Sequence, residues 1–271
     1  MISKAVKFNS IKTDIIFLIM GFMSILFYNK INNIGNLLSL QFIISMSITL
    51  LLIQIFPFRH NYLEIYKNKY AICLFLILEI VLQAFIFITN QYFGLNNTTV
   101  NEINIIYIRL LHLIMTATLF ISYLFNISFK DFNWGITFKN FLLILIIYIF
   151  YKGLNIISYN EVNILMFDKN NIKNFIFHLI YQCFYPGIFE ETLYRGFLVS
   201  GLRGLGLNEN KSNVIQAVIF GASHLNSWGT GFSVFLLHTA FQAIIGYMFG
   251  KLYFKTKSLT PCIILHGLFN I

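Results

Sequence analysis

The feature that most limits how this chain can fold is its succession of apolar runs. A helix needs roughly 20 apolar residues to cross a bilayer, with about 17 to 25 allowed. Runs of that kind occupy 37–56, 70–92, 105–125, 141–157, 175–199 and 232–253, with shorter ones at 15–28, 212–224 and 259–271. The expected fold is therefore all-α: a polytopic transmembrane helix bundle of eight or nine spans. Composition agrees, since 58% of the 271 residues are hydrophobic and 11% are charged, where soluble domains carry roughly 25% charged residues.

The formal charge of +9 raises the question of nucleic acid, but the 19 basic residues form no stripe. They are spread through short segments between apolar runs, so no nucleic-acid partner is expected. With the N-terminus inside, fourteen of them fall on the cytoplasmic side, from Lys4, Lys7 and Lys12 to Lys257. The outer loops hold Lys30, Lys152, Lys169 and Lys173, and Arg109 lies in a span. That asymmetry predicts an integral protein of the cell (plasma) membrane with a cytoplasmic N-terminus. No small-x-small cleavage site follows 15–28, so this run reads as a retained first helix. Cys73, Cys183 and Cys262 sit singly in or beside apolar runs and read as small core residues.

Within the run at 175–199 lies Phe-Glu-Glu-Thr-Leu-Tyr-Arg, Phe189 to Arg195. An ionisable group in hydrocarbon costs at least ~2.5 kcal/mol on the insertion scale, so two adjacent carboxylates need a reason. On a helix, Glu191 and Arg195 are four apart and can form an ion pair, while Glu190 points about 100° away. A paired Glu191 would be structural, and a free Glu190 could take protons. The plainer account is that both glutamates only neutralise Arg195 and the basic loop after it.

Three more polar patterns follow. Phe220 and His224 are four apart, as are His238 and Gln242, and His266 and Asn270. Each alone reads as a satisfied core residue. Counted from Arg203, Lys211, Lys251 and Lys257, however, Glu190, His224, His238 and His266 lie roughly 13 to 20 Å from the cytoplasmic helix ends. Buried polar groups at one level must find each other or water. Before residue 170, Glu79, Arg109 and His112 are polar residues within apolar runs and are assigned to scaffold.

Together these motifs resemble the CAAX-processing proteases and the related bacteriocin-processing (Abi) group of intramembrane endopeptidases. Glu-Glu-x-x-x-Arg matches Glu190, Glu191 and Arg195; Phe-x-x-x-His matches Phe220 and His224; His-x-x-x-Asn matches His266 and Asn270. Gly246-x-x-x-Gly250 and Ser258-Leu-Thr-Pro261 are similar to the family's lead into its last motif. The resemblance covers about 186–270. It divides the chain into N-terminal scaffold helices, 1–170, and a catalytic helix bundle, 171–271.

The resemblance implies an intramembrane hydrolase of the glutamic protease type, cutting a membrane-associated peptide or protein. Glu190 with His224 would activate a water, Glu191 with Arg195 would fix the helix, and His266 with Asn270 would stabilise the oxyanion. It further implies roles such as peptide maturation or bacteriocin self-immunity. No cofactor is expected; the alternative is a zinc ion on Glu190, His224 and His266. Competing functions are a non-catalytic binding or immunity scaffold and a proton-coupled transporter, the latter weakened by the lack of an inverted repeat.

Overall fold

The computed structural model describes residues 11–23, 37–56, 64–93, 117, 121–159, 169–224 and 232–271. Among the described residues the regular structure is helical, with no strand. The helices are α1 (residues 11–23), α2 (Leu37–Ile55), α3 (Ala71–Phe93), α4 (Phe138–Tyr159), α5 (Lys169–Gln182), α6 (residues 188–204), α7 (Glu209–Ser223), α8 (Phe232–Thr256) and α9 (Thr260–Phe269). The all-α expectation is met. Among the described residues no helix is long and apolar enough to cross a membrane. The longest, α8, carries Gln242, Lys251 and Lys255 within its 25 residues. Arg109, His112 and most of the span expected at 105–125 lie outside the described residues.

One hydrophobic core joins early and late helices. It takes Phe17 from α1, Met46, Leu50 and Ile53 from α2, Leu74, Phe75 and Leu78 from α3, Leu143, Ile144 and Ile147 from α4, and Tyr247 and Leu252 from α8. The three- and four-residue spacings place these side chains on single helix faces. On α3 the buried stripe passes through Ala71, Leu74, Phe75 and Leu78, and Cys73 lies off it. Cys73 is therefore exposed, contrary to the core position expected, whereas Cys262 is buried.

A polar clamp fastens α1 to α8. Asp14 accepts from Tyr247 Oη at 2.6 Å and pairs with Lys251 Nζ at 3.0 Å. Gln54 of α2 donates to the same carboxylate. Phe17 stacks on Tyr247 with ring centroids 4.1 Å apart.

The run expected as one helix across 175–199 is broken between α5 and α6. Proline has no N–H to donate and pushes the residue before it out of the helical region. Tyr185, preceding Pro186, is accordingly extended at φ −147° and ψ 114°, within wide turns at Cys183–Gly187. After Glu191 the turns of α6 widen again, over Thr192–Leu198. Such π-type turns occur frequently at functional sites. The left-handed Gly206, at φ 86°, closes α6, and Asn208 caps α7 by accepting from Lys211 N at 2.9 Å.

The start of α9 is held by the segment before α4. Ser258 Oγ meets the carbonyls of Gly135 at 2.6 Å and Asn133 at 3.1 Å, and Leu259 N donates to Asn133 at 2.9 Å. Trp134, whose ring stacks on Phe129, offers its carbonyl to Thr260. Helices α7 and α8 meet at glycines. A Cβ on Gly221 would collide with the Thr239 carbonyl and lie 2.8 Å from Ala243 N, both backbone of α8. Gly221→Ala is therefore expected to destabilise the protein by about 1–3 kcal/mol, visible as a lowered unfolding temperature in detergent.

Candidate active site

Glu191 lies at the centre of a fully buried polar group. Its Oε1 is 3.3 Å from Arg195 Nη1, with both side chains 0% exposed, and 2.9 Å from His266 Nδ1. Arg195 also donates from Nη2 to the Gly246 carbonyl at 3.0 Å. The guanidinium carbon lies 4.7 Å from the Phe220 ring centre and 5.3 Å from that of Phe249. The ion-pair spacing read from the sequence is thus realised, even though the turns between Glu191 and Arg195 are wide. Gln216 of α7 donates to the same Gly246 carbonyl at 2.9 Å, and Asn213 donates to that of Tyr247 at 3.1 Å. A Cβ on Gly250 would overlap Asn213. The glycine spacing on α8 lets these amides approach its backbone.

Glu190 is held differently. Its Oε2 is buried and accepts no hydrogen bond from the described residues. It faces His224 Nε2 at 3.7 Å and His266 Nε2 at 3.7 Å. The far nitrogen of each ring is anchored: His266 Nδ1 on Glu191 and His224 Nδ1 on the Phe220 carbonyl, 2.8 Å away. The helix end makes the second anchor available. His224 N turns back to the Gly221 carbonyl, leaving that of Phe220 to the side chains of His224 and Ser223. Helices α6, α7 and α9 thus bring one carboxylate oxygen and two imidazoles to one point.

Asn270 stands apart from that point. It is exposed at the end of α9, and its amide donates to Gln182 Oε1 at 3.4 Å. His238 and Gln242 fall on α8. Among the described residues no group of three or more His, Cys, Asp or Glu is arranged to hold a metal ion.

Sequence reasoning passed over Tyr194 and Ser223 and assigned Glu79 to scaffold. Tyr194 Oη lies 3.1 Å from Glu79 Oε2 and also contacts Ser223 Oγ, next to His224. The available signal was the pair Glu79 and Gln83, two polar residues four apart in an apolar run, with Gln83 Nε2 2.8 Å from Glu79 Oε1.

Fold and site together define the class: a protein helical throughout its described residues, with a half-buried carboxylate facing two imidazoles. Residues 172–271 match the family model described as Rce1-like, type II CAAX prenyl endopeptidase. This C-terminal segment is thus similar to the CAAX endopeptidases that its motifs resemble. It holds Glu190, Glu191, Arg195, His224, His266 and Asn270. No curated protein and no solved structure matches the chain.

Proposed function

We propose that this protein is a polytopic intramembrane endopeptidase that hydrolyses a membrane-associated peptide or protein with a water activated by Glu190. The observation that carries the reading is Glu190 Oε2, buried, without a hydrogen bond from the described residues and facing His224 Nε2 and His266 Nε2 at 3.7 Å each. A water between Glu190 and His224 would give one proton to each acceptor and aim a lone pair at a carbonyl carbon. Glu190 takes a proton as the oxygen adds to that carbon, and returns it to the leaving nitrogen as the C–N bond breaks. Glu190, Glu191 and Arg195 alone sum to one negative charge, and a protonated His266 balances it. In that form His266 donates Nδ1–H to Glu191 and presents Nε2–H to the developing oxyanion.

Asn270 joins His266 at the oxyanion in this proposal, after leaving Gln182. Because it starts from the exposed rim, Asn270→Ala is expected to slow hydrolysis less than His266→Ala, as measured by initial rates of peptide cleavage. The bilayer as surroundings is supported by the apolar side chains turned outward on α3, α4 and α5. Among them are Ile80 at 66%, Phe138 at 74%, Ile149 at 59% and Phe177 at 66% exposure. Exposed apolar surface of this extent marks contact with lipid or another protein. We place the N-terminus on the cytoplasmic side from the distribution of basic residues.

The test is the full chain in lipid vesicles, offered membrane peptides with and without a prenyl group, in the presence and absence of a chelator. Cleavage that resists the chelator and disappears in His224→Ala is the expected result. Cleavage surviving in His224→Ala would sink the proposal, and loss with chelator would favour zinc on Glu190, His224 and His266. Substrate turnover of prenylated peptides alone would assign prenyl-protein processing, and turnover of unmodified ones would fit peptide maturation or self-immunity.

A further inference from the structure

Glu79 lies on α3, in the part of the chain assigned from sequence to scaffold, yet hydrogen bonds connect it to the end of α7 that presents His224. Its Oε2 meets Tyr194 Oη at 3.1 Å and its Oε1 accepts from Gln83 Nε2 at 2.8 Å. The same Gln83 amide donates to the Ser223 carbonyl at 3.2 Å. Tyr194 Oη also contacts Ser223 Oγ. Ser223 Oγ lies 2.9 Å from the Phe220 carbonyl, which His224 Nδ1 approaches at 2.8 Å.

Counting protons gives this chain a direction. An ionised carboxylate only accepts, and each hydroxyl has a single proton to give. When Glu79 takes the tyrosine proton, the contact between Tyr194 and Ser223 must use the serine proton. A serine proton drawn toward Tyr194 is withdrawn from the Phe220 carbonyl, which both side chains share; that carbonyl then accepts more strongly from His224 Nδ1–H, and His224 turns a lone pair at Nε2 toward Glu190. We infer that Glu79 is a positioning residue that sets the tautomer of His224 through Tyr194 and Ser223. The catalytic meaning of that tautomer rests on the proposed water activation; its existence does not.

Glu79→Gln should reverse the chain. Gln83 is fixed by the Ser223 carbonyl and keeps its donor on residue 79, so the new side chain must offer its oxygen to Gln83 and its NH2 to Tyr194. Tyr194 then donates to Ser223, and the serine proton goes to the Phe220 carbonyl in competition with His224.

The experiment is nitrogen NMR of the full chain labelled with 15N-histidine in detergent micelles, with His224→Gln assigning the His224 signals. The wild type is expected in the Nδ1–H form. In Glu79→Gln, and equally in Tyr194→Phe, the Nε2–H fraction should rise about two- to tenfold, the worth of one hydrogen bond. Adding Ser223→Ala to Glu79→Gln removes the competing hydroxyl and should restore the wild-type signals, a rescue that general loosening of the helix would not give. Unchanged His224 signals in both single variants, or no restoration in the double variant, would overturn the inference. Because no substrate is involved, a protein that cleaves nothing in vesicles still gives an answer.

Discussion

Replacing Glu190 by glutamine is expected to lower peptide hydrolysis by about 10²–10⁴-fold, the usual contribution of a general base, with the protein still accumulating in membranes. The substitution keeps the shape of the side chain and removes its ability to take a proton. Little structural loss should follow, because Glu190 Oε2 accepts no hydrogen bond from the described residues. Initial rates in vesicles, with membrane yield and unfolding temperature alongside, check the result. Hydrolysis at the wild-type rate in a properly folded Glu190→Gln would exclude Glu190 as the base.

Arg195→Ala should show the opposite profile, a loss of the protein itself. Removing one partner of a buried ion pair leaves the other charge uncompensated and typically costs about 3–5 kcal/mol. Here Glu191 and Arg195 are both 0% exposed, and the guanidinium also binds the Gly246 carbonyl and lies against Phe220 and Phe249. One substitution therefore loosens α6, α7 and α8 together. The double variant Glu191→Leu with Arg195→Met replaces the pair by apolar groups and should recover most of the stability. It should not recover hydrolysis, since His266 Nδ1 loses its acceptor on Glu191. Thermal unfolding of the two variants beside the wild type separates these effects. Full activity in the double variant would show that Glu191 does not orient His266.

These two expectations mark how much of the site could be read from residues alone. Glu191 and Arg195 are four apart on one helix, so their pairing is a local matter that spacing decides. The freedom of Glu190 follows from the same geometry. Asn270 shows the limit of that reasoning. Four-residue spacing puts it on the face of His266, but α9 ends there, and an amide at a helix terminus is governed by what lies beside the end, which is Gln182. Cys73 is a similar case, because only packing decides which stripe of an apolar helix turns inward.

Sequence by itself determined the helical class and the partnership of Glu191 with Arg195, because each depends on residues within a few turns; the break at Pro186 came from the structure. Tertiary structure alone decided that Glu190, His224 and His266 converge from α6, α7 and α9. It also decided that Glu79 and Gln83 on α3 reach Tyr194 and Ser223 respectively. Those placements join side chains far apart in sequence, and they are fixed by how closely helices approach, as the backbone of α8 against Gly221 shows.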